Sequence, residues 1–195
     1  MAALVANVLA GLATALVLTW ATAGAARAEV PPAEVLRALP SATLVGEARL
    51  RVWGFEVYDA RLWAPPGAQP ALPPVQQPAP PFALELRYLR AFSAGEIARR
   101  SIEEMRRGAS IDDQQAQRWQ AAMRTAFRDV KPGDRITGIY RPAGEGGGPA
   151  SASFVFNGAP TGEIRDGDFA PLFFGIWLAP TTSEPALRQA LLGRP

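Results

Sequence analysis

The chain has no cysteine and no histidine, and Lys131 is its one lysine. Without cysteine there is no disulfide and no thiolate nucleophile, so the fold must rest on its apolar core. Without thiolate or imidazole the usual zinc and transition-metal ligand sets cannot be assembled, and no metal or cofactor is expected. The same two absences remove the side chains that most often act as proton acceptors near neutral pH. Charge of one sign is also missing. Twenty basic residues face 18 acidic ones, and the isoelectric point of about 9.5 reflects arginines that titrate very late. No basic stripe interleaved with aromatics is present, so nucleic acid is not an expected partner. The glycine-rich run 145–149 lacks the Gly-Lys-Ser/Thr ending and the following helix of a phosphate loop.

What is present begins with an apolar run. Met1–Trp20 carries only Asn7 and threonines as interruptions, and Ala26-Arg27-Ala28 precedes Glu29. A small-residue cleavage site after an apolar segment predicts a signal peptide over residues 1–28, cut between Ala28 and Glu29. A periplasmic or secreted product is then expected. A run of this length can also span a bilayer, so an uncleaved anchor is the competing reading. Residues 29–195 suffice for one domain with its own core.

After a short lead-in with a helical turn or two at Ala33–Leu39, two alternating segments, Ala48–Trp53 and Glu56–Trp63, flank Gly54-Phe55 and predict a β-hairpin. Eight prolines between Pro65 and Pro81 predict an extended surface loop. Phe82–Tyr88 alternates as a half-buried strand. Ser93 to Glu96 has capping-box spacing and opens a helix to about Arg107, and a second helix is predicted over 112–130 with Trp119, Met123 and Phe127 on its core stripe. Further strands are predicted at Arg135–Tyr140, Ser151–Phe156 and Thr161–Ile164, with Asn157-Gly158 as the tight turn between the last two. Asp166 or Asp168 caps a helix of Phe169, Leu172, Phe173, Ile176 and Trp177, and Ser183 caps a last helix carrying Leu187 and Leu191. The order predicts an α+β fold, a mainly antiparallel sheet with helices packed on one face.

The residues with chemistry to offer lie on the hairpin. With a two-residue turn at Gly54-Phe55, Arg51 faces Tyr58 and Arg49 faces Ala60, which gathers two guanidinium groups and a phenol. A three-residue turn puts Asp59 opposite Arg51 instead, so the register is open. Arg49, Arg51, Tyr58 and Asp59 are therefore the candidate ligand-binding residues, suited to an anionic head such as a carboxylate. The alternative is a solvated edge hairpin whose arginines do nothing further.

Three stretches resemble the bacterial secreted branch of the chalcone isomerase-like superfamily: the hairpin GEARLRVWGFEVYDARLWA, FRDVKPGDRITGIY at 127–140, and GEIRDGDFAPLFFGIWL at 162–178. The resemblance implies an open β-sandwich with a helical layer and a ligand cleft between them. In the plant isomerases, arginine and lysine stabilise a phenolate during ring closure with tyrosine, threonine and asparagine partners. Carried onto this chain, the hairpin arginine matches Arg49 or Arg51 and the second-strand hydroxyl falls near Tyr58 or Asp59. Ile97, Glu104 and Leu172 occupy the remaining polar positions, and no lysine is near. The expectation is a non-catalytic binder of a small lipophilic acid or phenolic ligand, resembling in role the fatty-acid-binding members of the superfamily. An intramolecular lyase on another substrate and an envelope interaction module are the alternatives.

Overall fold

The computed structural model describes residues 29–70, 79–144 and 147–194, so the segment read as a signal peptide and the middle of the proline-rich loop lie outside the described residues. Six strands form one antiparallel sheet in sequence order: β1 (Thr43–Val52), β2 (Phe55–Ala64), β3 (Phe82–Tyr88), β4 (Arg135–Arg141), β5 (Ser151–Phe156) and β6 (Ala159–Arg165). The helices are α1 (Ala33–Ala38), α2 (Ala94–Met105), α3 (Asp113–Ala126), α4 (Phe169–Leu178) and α5 (Pro185–Leu191). The fold class is α+β as expected.

Alternation along the strands divides the sheet into two faces. Ala60, Leu62, Phe82, Leu84, Leu86, Ile136, Ala152 and Phe154 join the main core under α2 to α5. Phe173 and Phe174 of α4 fill its centre, with Phe154 edge-on to Phe173 and Phe82 edge-on to Phe174. Gly138 of β4 makes this approach possible: a Cβ there would sit 3.0 Å from the Phe174 ring.

The other face is not bare. Helix α1 lays Val35 against Trp63, Ala83, Ile139 and Val155, forming a second, smaller core. It also brings Glu34, 5% exposed, onto the sheet. Its carboxylate accepts from Arg135 Nε and Nη2 (3.1 and 2.8 Å) and from the Thr137 hydroxyl (3.3 Å). Glu85 is buried beside it and accepts from Trp63 Nε1 at 3.0 Å. Burial holds the Glu85 carboxyl above its ordinary range, against the pull of that bond and of Arg135 and Arg61.

Helix ends follow from side-chain chemistry. Ser93 and Glu96 close a full capping box at the start of α2. Helix α3 stops at Ala126, four residues before the predicted end, because Phe127 turns extended and Val130 pairs with Phe92 as an isolated bridge. Phe127 keeps its place in the core from this extended position. Asp166, not Asp168, caps α4: its Oδ1 accepts from the backbone of Asp168 and Phe169, and its Oδ2 accepts from Trp119 Nε1 at 2.8 Å. Ser183 does not cap α5, which starts with Pro185 after Glu184 and has no side-chain cap bond. The Ser183 hydroxyl donates to Glu104 at 2.8 Å instead.

Candidate functional site: a cavity between sheet and helices

The hairpin register differs from both sequence alternatives. Trp53 and Gly54, with φ of 50° and 83°, make the two-residue turn, and Val52 pairs with Phe55. A bulge at Val57 then shifts the ladder, so Leu50 faces Tyr58 and Arg49 faces Asp59. A one-residue slip exchanges the faces of a strand. Here it parts the residues grouped from sequence. Arg49 and Arg51 stand on the outer face with Glu56 and Asp59, while Tyr58 turns inward.

The outer group is a solvated ion-pair network. Arg49 donates to both Asp59 oxygens (2.6 and 3.0 Å) and to Glu56 (2.8 Å), and Arg51 donates to Glu56 (3.0 Å). These bonds to carboxylates push the Arg49 guanidinium still further up and hold Glu56 below the ordinary carboxylate range. Each arginine already has its counter-charge within this network.

Tyr58 instead lines a cavity of about 390 Å³ enclosed by strands β1 to β5, helices α2 and α4, and the segment before α5. Its apolar walls include Leu50, Leu84, Leu86, Ile97, Phe173 and Ile176. The volume lies toward the small end of ligand sites, about 300–1,000 Å³. Two phenols supply polarity in it. The Tyr58 hydroxyl accepts from Trp177 Nε1 at 2.8 Å, which leaves its own proton free to donate. Tyr88, paired with Tyr58 across the ladder and edge-on to its ring at 5.9 Å, is 4% exposed and lines the same cavity. No group among the described residues hydrogen-bonds its hydroxyl.

Burial pushes both phenols well above the usual tyrosine range, Tyr58 against the opposing pull of the Trp177 bond. They are therefore donors at any physiological pH, not proton acceptors. The charged groups sit at the open end. Arg99 and Arg100 of α2 have side chains 60% and 65% exposed. Arg99 pairs with Glu103, and Arg100 reaches Glu104 at 2.5 Å. Of the positions carried over from the plant isomerases, Ile97 and Glu104 line this cavity, whereas Leu172 lines a smaller recess behind α4. Glu96, Glu104 and Glu184 also line the main cavity, Glu96 engaged by Ser93 and Glu104 by Arg100 and Ser183, so the cavity can orient an oxygen-bearing ligand between two phenols that stay protonated.

Sequence reasoning missed Tyr88, Trp177 and Arg100, which it assigned to core or solvent. Tyr88 ends a strand whose inward residues are otherwise aliphatic or phenylalanine, and a hydroxyl there was the one available signal.

The comparisons with known proteins agree with this geometry. A family model described as chalcone isomerase-like matches residues 41–193. The chain belongs to the chalcone isomerase-like family. An uncharacterized protein of Haemophilus influenzae is 28% identical over 143 residues, 73% of this chain, and the match spans 64% of that protein's length. The crystal structure of an Arabidopsis thaliana fatty-acid binding protein superposes with a TM-score of 0.57 at 12% identity, covering 78% of this chain and 87% of that one. At that identity the likeness speaks to fold: the sheet and helical layer are those of the chalcone isomerase-like family.

Proposed function

We propose that this protein is a non-catalytic binder of a small lipophilic acid, held in the cavity between sheet and helices. The observation that carries the reading is the Tyr88 hydroxyl: the residue is 4% exposed, it lines the cavity, and no hydrogen bond reaches that hydroxyl from the described residues. A donor that opens onto a largely apolar cavity is free to bond a ligand oxygen or water there. The ligand's apolar tail lies along Leu84, Leu86 and Phe173, and its carboxyl end meets Tyr58 and Tyr88, with Arg100, which lines the same cavity, as its cation. Arg49 and Arg51 then serve the hairpin's own ion pairs rather than the ligand. The similarity to a protein named for fatty-acid binding supports the choice of ligand class. Export to the periplasm with cleavage after Ala28 belongs to the same proposal, resting on the composition of residues 1–28.

Native mass spectrometry of the protein purified from its host tests both parts. The expected result is a mass starting at Glu29 and a co-purifying acid that is lost on delipidation. Calorimetry with a medium-chain fatty acid then places the head. Arg100→Gln and Tyr88→Phe weaken binding, while Arg49→Ala leaves it unchanged. Equal losses at all three positions, or no binding of any acid by delipidated protein, overturn the reading.

A further inference from the structure

Two hairpin turns in this sheet share one backbone geometry and differ in what they carry. The β5–β6 turn is Asn157-Gly158, with φ of 47° and 87°. Asparagine and glycine are the residues that tolerate this left-handed pair. The β1–β2 turn has the same signs of φ but places Trp53 where asparagine stands in the other, at φ 50°. A bulky side chain at positive φ is disfavoured, and such an outlier asks for a reason beyond the turn itself. Packing is not the reason, because Trp53 is 95% exposed. Phe55 beside it is 60% exposed and Val52 is 40% exposed, so the tip is an apolar point in solvent.

Two further observations say what the point meets. Arg90 lies over the Phe55 ring, 4.9 Å from its centroid, and neither Arg90 nor Arg87 has a carboxylate partner among the described residues. Along the hairpin and the adjoining end of β3, Arg49, Arg51, Arg87 and Arg90 stand against Glu56 and Asp59 among the described residues, which leaves a positive surplus. An exposed tryptophan and phenylalanine beside two arginines without a carboxylate partner among the described residues, Arg87 and Arg90, match the boundary between acyl chains and anionic headgroups. Val52 also lines the cavity, together with Val57 from the other strand of the hairpin. The apolar tip is therefore continuous with the cavity wall.

We propose that the β1–β2 hairpin tip docks on an anionic lipid surface, inserting Trp53 and Phe55 while Arg87 and Arg90 meet phosphates, so that the cavity loads and unloads at the bilayer. The proposal concerns where exchange happens and stands apart from the identity of the ligand.

The absence of cysteine makes the test clean. An environment-sensitive dye is attached to Phe55→Cys at the tip or to Gln117→Cys on the exposed face of α3, and each protein is mixed with phosphatidylglycerol–phosphatidylcholine vesicles. Any tethering by residues 1–28 acts on both proteins alike. The expected result is a blue shift at position 55, none at 117, and loss of most of the shift in pure phosphatidylcholine or high salt. Trp53→Asn suits the turn and keeps the thermal midpoint unchanged or higher. It lowers vesicle partitioning in the labelled background by about tenfold. Arg90→Gln lowers it by about fivefold. No shift at position 55, or equal shifts at both positions, overturns the proposal. A shift that grows with protein concentration without vesicles overturns it in favour of a second copy covering the tip.

Discussion

The indole of Trp177 donates to the hydroxyl of Tyr58 over 2.8 Å, joining α4 to β2 across the cavity. The bond fixes which way the Tyr58 proton points, because its oxygen is already engaged from the helix side. Tyr88, whose hydroxyl has no partner among the described residues, adds a second phenol to the cavity wall.

Removing a hydroxyl that the protein does not use separates binding from folding. Tyr88→Phe is expected to leave the urea midpoint unchanged or slightly raised, since no hydrogen bond with the described residues is lost. Binding of a medium-chain fatty acid by the same variant is expected to weaken by about 1 kcal/mol, the net worth of one hydrogen bond. Calorimetry and chemical unfolding on one preparation read both. A large stability loss with unchanged binding would show that the hydroxyl is structural.

The two phenols also set an alkaline limit. Both are held above the ordinary tyrosine range in the folded protein, mainly by burial. The unfolded chain releases these protons near pH 10 while the folded chain keeps them. Their contribution to stability is therefore complete below about pH 10 and is lost as pH rises further. Thermal midpoints measured from about pH 8 to 12 are expected to fall above pH 10, less steeply in Tyr88→Phe. An unchanged slope in that variant would mean the Tyr88 ring is not protected from ionisation.

Gly46 carries a packing requirement of another kind. A Cβ there would lie 2.1 Å from the carbonyl oxygen of Ala190 and 2.7 Å from that of Leu191, and backbone cannot swing aside as a side chain can. Gly46→Ala is expected to cost about 1–3 kcal/mol by forcing α5 off β1. Chemical unfolding measures the loss. A neutral result would show that α5 moves without penalty.

Ring closure of a hydroxychalcone is expected to stay at background in an absorbance assay. The family resemblance implies that Ile97, Glu104 and Leu172 replace the polar groups of the plant isomerases, and the two phenols in the cavity resist ionisation. Turnover near that of a plant isomerase would show that another group in the cavity moves protons.

The order of elements was legible because each strand and helix carries its own period and its own stop signal: Asn157-Gly158, the capping box at Ser93, the proline after Lys131. The candidate site was less legible, and the reason is local. The turn at Trp53-Gly54 is disguised by a tryptophan in an asparagine position, and the bulge at Val57 leaves no mark in the alternation of apolar residues. Those two shifts decide whether Tyr58 shares a face with Arg49 or with Leu50. Glu85 reads from sequence as the wet side of its strand, yet α1 covers it. Which helix lies over which face is information that periodicity within one strand does not contain.

The sheet order has a bearing on how the protein is made. Each strand pairs with the next in sequence, with α2 and α3 between β3 and β4, so the sheet assembles from sequence neighbours as the chain emerges. Contacts distant in sequence come from α1, which packs on β4 and β5, and from α5, whose end rests on the backbone of Gly46 and Val45. A chain still on the ribosome therefore holds β1 through its pairing with β2, and Gly46 stays uncovered until α5 emerges.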